Sequence, residues 1–115
     1  MSRGASAAAR SLSGAAPVFA ALGDETRLRL VGRLCAEGPL SITRLSEGAP
    51  VTRQAISKHL HALAGAGVVR DTRRGRERVF ELAPRRLEEA RRCLDRISDQ
   101  WDAAIGRLKA FVEEE

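Results

Sequence analysis

The chain contains no tyrosine, one tryptophan and three phenylalanines in 115 residues, so aliphatic side chains must fill its core. It contains two cysteines, Cys35 and Cys93, whose spacing matches neither a disulfide framework nor a zinc finger. We interpret both as buried thiols of a cytoplasmic protein. No apolar run approaches the roughly 18 residues that a membrane-spanning helix needs. We therefore expect no membrane partner.

Acidic side chains are scarce in one part of the chain. Residues 52–86 carry nine basic and three acidic side chains, whereas residues 17–51 carry four of each. This stretch alone therefore carries a charge of +6, which exceeds the net charge of +5 of the whole chain. A local basic patch of this kind indicates a polyanionic partner.

The residues that enzymes and metal sites require are also missing. The chain has no Ser-His-Asp set, no glycine-rich phosphate loop and no paired carboxylate cluster in a polar setting. The two histidines, His59 and His61, point about 160° apart on a helix, so they cannot bind one metal ion together. We expect no catalytic residues, no metal site and no cofactor. We interpret His59 as a packed, hydrogen-bonded residue between helices.

The pattern of apolar and turn residues predicts a mainly α-helical domain with a two-stranded β-hairpin. Residues 1–16, rich in Ala, Ser, Gly and Arg, predict a disordered tail before a single domain over 17–115. Asp24, Ser41 and Thr52 are suited to begin helices, and Pro84 opens the last one. The expected element order is α-α-α-α-β-β-α. A short helix, a tight turn, a second helix and a hairpin together form a winged helix-turn-helix.

The helix that begins after Thr52 has one apolar side and one polar side. Ile56, Leu60 and Leu63 share one side at about 100° per residue, and the polar side chains lie opposite. An ordinary solvated helix would mix both charge signs, but residues 53–65 include no Asp or Glu. Arginine in the first turn opposes the helix dipole, which is tolerable if a phosphate arrives there. The predicted DNA-contacting residues are Thr52, Arg53, Gln54, Ser57, Lys58 and His61.

Five arginines surround Gly75 at the centre of the predicted hairpin. Basic side chains on an edge hairpin can simply discourage aggregation. Beside the polar helix, however, they predict a wing whose tip follows the phosphate backbone or enters a minor groove. The tip residues are Arg73, Arg74 and Arg76.

The segments FAALGDETRLRLVGRL, LSITRLSEG and VTRQAISKHLHALAGAGVVRDTRRGRERVFEL resemble the ArsR/SmtB-type bacterial transcriptional repressors. The resemblance covers roughly residues 17–112. It implies a winged-helix homodimer that binds a near-palindromic operator in double-stranded DNA. Residues 52–65 would be its recognition helix, and the terminal helices would form the dimer interface.

Two features depart from that family's pattern. The region where many members carry Cys-x-Cys reads SITRL, and the last helix has no histidine for zinc. Metal sensing is therefore not implied, and any small-molecule effector stays unknown. Cys35 and Cys93 fall in the two helices that some members join for thiol switching, so a thiol-switched repressor stays an alternative.

The last helix independently predicts dimerisation. Its apolar residues recur three and four positions apart from Leu87 to Phe111, a seam that packs on its own domain or on another chain. One small domain has limited core to cover such a seam. The predicted interface residues are Val18, Phe19, Leu22, Leu94, Ile97, Trp101 and Leu108. The alternative to a DNA-binding regulator is a winged helix used for protein–protein contact.

Overall fold

A computed structural model describes residues 14–114 of the chain. Its elements are α1 (residues 14–22), α2 (Glu25–Glu37), β1 (Leu40–Ser41), α3 (Ile42–Ser46), α4 (Arg53–Gly65), β2 (Val69–Arg74), β3 (Glu77–Leu82) and α5 (Pro84–Glu113). Helices dominate, and α3 and α4 are joined by a short turn. The predicted order of helices and hairpin strands is confirmed.

Polar side chains begin α2, α3 and α4 where the sequence predicted. The side chains of Asp24, Ser41 and Thr52 accept hydrogen bonds from backbone amides three residues later. These bonds satisfy amides that have no partner within the helix. Pro84 occupies the first turn of α5, where its missing N–H costs nothing. Gly38 ends α2 with φ of 82°, a conformation that disfavours residues with a Cβ.

The sheet has three strands rather than the predicted two. β1 pairs antiparallel with β3, with Leu40 opposite Phe80 and Ser41 opposite Val79, so the strand order is β1-β3-β2. A strand of two residues, the second of which is itself the cap of the next helix, has no pattern of its own. Only its pairing with a distant strand reveals it.

The hydrophobic core lies around α4. Ile56, Leu60 and Leu63 are at most 1% exposed and pack with side chains of α1, α2, α3 and the hairpin. Cys93 is buried against this body, as predicted, but Cys35 is exposed. Residues Leu30 and Leu34 carry the buried face of α2. Cys35 follows Leu34 by about 100° around the helix, which turns it towards solvent.

The first helix already includes residues 14–16, which the sequence analysis assigned to a disordered tail. Ala15 is 1% exposed, so it belongs to the domain. The predicted boundary at residue 17 is therefore too late. Alanine-rich sequence without an apolar period gave no signal for this additional turn. The rest of the predicted tail, residues 1–13, lies outside the described part of the chain.

Candidate nucleic-acid interface

The polar face of α4 is oriented by the capping bond at its start and by the core on its other side. Oγ1 of Thr52 accepts a hydrogen bond from the amide of Ala55 at 3.1 Å. Because the apolar stripe is buried, the opposite face must point outward. Thr52, Arg53, Gln54, Lys58 and His61 are exposed and Ser57 is half-buried. The six predicted side chains thus share one surface.

His61 is held against its own helix. Its Nδ1 lies 2.9 Å from the carbonyl oxygen of Ser57. A carbonyl oxygen only accepts, so Nδ1 carries the proton in this contact and Nε2 faces away from it. The ring therefore offers Nε2 to an approaching ligand.

The hairpin arginines divide into two groups, the paired ones nearer its base and the predicted contacts at its tip. Arg70 and Arg78 are neutralised across the strands. Nε of Arg70 lies 2.7 Å from a carboxylate oxygen of Glu81, and Nε of Arg78 donates to Asp71 at 3.0 Å. The hydrogen bond to Asp71, supported by its charge, raises the pKa of Arg78, whose guanidinium also stands 5.5 Å above the Phe80 ring. The charges of these two arginines are therefore balanced within the hairpin.

The remaining hairpin arginines lie at its tip. Arg73, Arg74 and Arg76 surround the turn, where Gly75 adopts φ of 65°. Their side chains are exposed and have no hydrogen-bond or ion-pair partner in the described part of the chain. They are available to an external ligand.

A groove connects the start of α4 with the wing. Three of the predicted contact residues, Arg53, Arg73 and Arg76, line it together. Its other lining residues were not predicted, and they are Ser41, Ile42, Thr43, Glu77 and Arg78. The start of α3 enters this groove because β1 pairs with β3, and that pairing had no local signal. Helix and wing thus form one continuous basic surface.

Pairing of charges separates this surface from the rest of the protein. Most other basic side chains are matched with carboxylates, as in Arg29–Glu25, Arg33–Glu37 and Arg86–Glu89. Over residues 14–114, only seven Lys and Arg side chains have no hydrogen-bond or ion-pair partner. Five of them lie on the helix face and the wing tip: Arg53, Lys58, Arg73, Arg74 and Arg76. Arg107 and Lys109 are the other two.

The outer half of α5 forms a separate apolar surface. Trp101 is 66% exposed and Leu108 is 63% exposed, and Leu94 and Ile97 are also exposed. Ile105, Phe111 and Val112 extend the same surface. The inner residues Leu87 and Ala90 instead pack on the domain's own core. The apolar seam was predicted to be continuous, but its inner part packs on the core and its outer part is exposed.

The first helix, α1, exposes less of its predicted dimer-interface residues than the sequence indicated. Val18 is 1% exposed and belongs to the core, so it offers no area to another chain. One face of a short amphipathic helix must pack on its own domain, and Val18 lies on that face. Phe19 and Leu22 are half-buried and keep part of their surface outside.

The described residues offer no evident site for other chemistry. Cys35 and Cys93 are both free thiols, one exposed and the other in the core. Between residues 14 and 114, no three His, Cys, Asp or Glu side chains are grouped so as to hold a metal ion. Within the same range, no helix combines the length and hydropathy that a bilayer crossing requires.

Comparisons with known proteins point to one family. A family model described as a helix-turn-helix domain matches residues 22–72. An HTH-type transcriptional regulator of Mycobacterium tuberculosis is 39% identical over 95 residues, covering 83% of this chain and 85% of that protein. The solved structure of an ArsR-like transcriptional regulator from Rhodococcus sp. RHA1 is 37% identical with a TM-score of 0.71. That match covers 86% of this chain and 92% of the other.

The same fold occurs at lower identity. The homodimeric winged helix-turn-helix DNA-binding domain of a Mycobacterium bovis protein is 24% identical and has a TM-score of 0.60. The match covers 82% of this chain and 83% of that fragment.

Proposed function

Because the chain belongs to the ArsR-like family of helix-turn-helix transcriptional regulators, we propose that it is a sequence-specific DNA-binding repressor. It binds a near-palindromic operator as a homodimer. The observation that carries this proposal is the set of five unpaired cationic side chains on the helix face and the wing tip, three of which line one groove. A surface that only met water would gain from the interspersed acids found elsewhere on the protein.

The arrangement of the surface suits double-stranded DNA. An α-helix fits the major groove, where Arg, Gln and Ser side chains can read base edges. With α4 there, the groove lined by Arg53, Arg73 and Arg76 receives the sugar-phosphate backbone beside it. The wing tip then follows that backbone towards the minor groove. Phosphate contacts of this kind fix register and orientation, whereas Gln54 and Ser57 provide the sequence reading.

The apolar surface of α5 supplies the dimer. A contiguous exposed apolar patch that contains Trp, Phe and several aliphatic side chains marks an interaction site. At about 1.5 Å per residue, the 30 residues of α5 extend about 45 Å, and the outer part packs on no other element of the described chain. A second copy of the same helix covers this face and is itself covered.

A twofold dimer also solves a problem of recognition. One helix reads only a few base pairs, and two helices about one DNA turn apart, roughly 34 Å, read two half-sites. The partner that covers α5 therefore provides the second recognition helix. This is why the operator is expected to be near-palindromic.

The same charges distinguish DNA binding from the alternative function, a winged helix used for protein–protein contact. A protein partner has no need of five unpaired cations and an acid-free helix face. Selection of bound fragments from random or genomic DNA tests the proposal. We expect enrichment of one motif with two inverted half-sites. Recovery of fragments without a common motif would argue against sequence-specific binding, and recovery of none would argue against DNA binding altogether.

A further inference from the structure

A polar cluster joins three helices behind the recognition helix α4. The guanidinium of Arg27, in α2, donates from Nε to Nδ1 of His59, in α4, at 3.1 Å. Its Nη1 lies 3.5 Å from the carbonyl oxygen of Ala21, in α1. One half-buried side chain therefore contacts two helices besides its own. Apart from the capping bonds, most other side-chain hydrogen bonds in the described chain lie on exposed surface.

The Ala21 carbonyl oxygen and the His59 ring are both suited to accept a hydrogen bond from the Arg27 guanidinium. Ala21 lies in the last turn of α1, where carbonyl oxygens lack partners within the helix and a cation is favoured. Because Arg27 only donates, Nδ1 of His59 must carry the lone pair, and the ring proton is on Nε2. Asp24 contacts the cluster through Arg27 and makes no hydrogen bond to the unprotonated Nδ1 of His59. Its carboxylate accepts from the Arg27 amide at 3.1 Å, a bond that lowers the Asp24 pKa, and lies 3.8 Å from His59 Nδ1.

The cluster and the DNA-facing side chains lie on different sides of the same helix. His59 and His61 point about 160° apart. The packed apolar contacts of α4 set which side faces the core, but the hydrophobic attraction itself has no preferred direction. The hydrogen bond between Arg27 and His59 is directional, so it adds a restraint on the rotation of the helix.

We propose that Arg27 and His59 are positioning residues for DNA recognition. They fix the rotation of α4 so that Gln54 and Ser57 meet base edges. Through the Ala21 carbonyl they also set α4 relative to α1, whose Phe19 and Leu22 lie at the proposed dimer face, and so set the spacing of the two recognition helices. This inference rests on the proposed function, because it concerns how the same surface is aimed.

The test uses full-length variants and two duplexes, a selected operator and a random sequence. Arg27→Met keeps much of the apolar stem and removes the donors. Arg29→Met is its matched control, since Arg29 is in the same helix but is paired only with Glu25 on exposed surface. His59→Leu removes the acceptor. His59→Asn retains an acceptor, because the Oδ1 of asparagine occupies nearly the position of the Nδ1 of histidine.

Arg27→Met and His59→Leu should each lower the operator-to-random affinity ratio roughly tenfold, a size typical of misaligning a base contact. Affinity for random duplex should change less than about twofold, and Arg29→Met should match the wild type. His59→Asn should retain most of the ratio although Leu is the better helix former. Function and thermal stability should therefore rank the two His59 variants in opposite orders.

The double variant Arg27→Met/His59→Leu should lose no more than either single variant, because both changes break one link. An unchanged ratio, an equal loss on both duplexes, or an equal loss for Asn and Leu at position 59 would overturn the inference. A wild-type protein that does not discriminate between the duplexes would instead overturn the proposed function.

Discussion

At the scale of single residues, the role of an arginine depends on whether a carboxylate lies within reach. Arg70 and Arg73 belong to the same strand, but the sequence predicted only Arg73 as a DNA contact. Arg70 stands opposite Glu81 and is paired with it, whereas Arg73 stands opposite Arg78, itself paired with Asp71. The register of the hairpin therefore leaves the tip charged and neutralises its base.

The wing tip should contribute affinity without sequence preference. Arg74→Ala removes one unpaired cation, so it should weaken binding to operator and random duplex by similar factors and reduce the salt slope by about one per protomer. Arg70→Ala is the matched control, because its charge is already balanced by Glu81. A fluorescence-anisotropy titration of both duplexes measures both effects. A loss for Arg70→Ala as large as that for Arg74→Ala would contradict the division of the wing arginines.

The recognition helix should carry the sequence preference. Gln54→Ala or Ser57→Ala should cost about 1–3 kcal/mol of operator binding for each base contact that is lost. Binding to random DNA should change little, since neither side chain is charged. The ratio of the two dissociation constants is the readout. Equal losses on both duplexes would assign these residues to the backbone instead.

Residue-scale features with a local cause were predictable from the sequence. The caps at Asp24, Ser41 and Thr52 depend on amides three residues away, so the sequence shows them directly. The ion pairs of Arg70 with Glu81 and of Arg78 with Asp71 depend on the strand register of the hairpin. The sequence does not determine that register, because the turn could have several lengths. The predicted role of His59 as a hydrogen-bonded residue between helices is confirmed, but its partner Arg27, 32 positions away, had no sequence signal.

At the scale of elements, α5 performs two tasks with one amphipathic pattern. Its inner residues, including Ala90 and Cys93, complete the core of the domain, and its outer residues from Leu94 onward are exposed. The sequence predicted the helix and its seam because the period of the apolar residues is regular. It did not show where the domain ends along that seam, since this depends on how far the folded core extends. The strand β1 was missed for a similar reason.

The outer seam should be necessary for dimerisation. Trp101→Glu places a charge on the exposed apolar face, where pairing would bury two like charges across the twofold axis without partners. We expect a monomer that has lost operator affinity although every proposed DNA-contacting residue is intact. Sedimentation velocity at micromolar concentration measures the association state.

Ala103→Glu provides a matched control for this variant. It adds the same charge two residues later, on roughly the opposite side of α5. It should remain dimeric and bind the operator like the wild type. If Trp101→Glu were as dimeric as Ala103→Glu, α5 would not be the interface. A wild-type monomer that binds a palindromic site tightly would lead to the same conclusion.

At the scale of the whole molecule, the protein separates its surfaces by chemistry. Unpaired cations gather on α4 and the wing, and exposed large apolar residues gather on the outer part of α5. The order of elements followed from the sequence because each element has its own period and caps. The convergence of α3, α4 and the wing on one groove required the fold, because it joins residues from position 41 to position 78. Symmetry then duplicates the cationic surface.

The dependence of DNA affinity on salt tests this arrangement most directly. The five unpaired cations on α4 and the wing tip of each protomer allow a dimer to neutralise up to ten phosphates, so log affinity should fall with log salt with a slope approaching about −9. If six to ten phosphates are contacted, affinity for the selected operator should fall about a thousandfold or more between 50 and 200 mM salt. A fluorescence-anisotropy titration over that range measures the slope. A steep slope that becomes shallower in Arg53→Ala/Arg73→Ala/Arg76→Ala is the predicted result, and a flat slope for the wild type would contradict DNA binding by this surface.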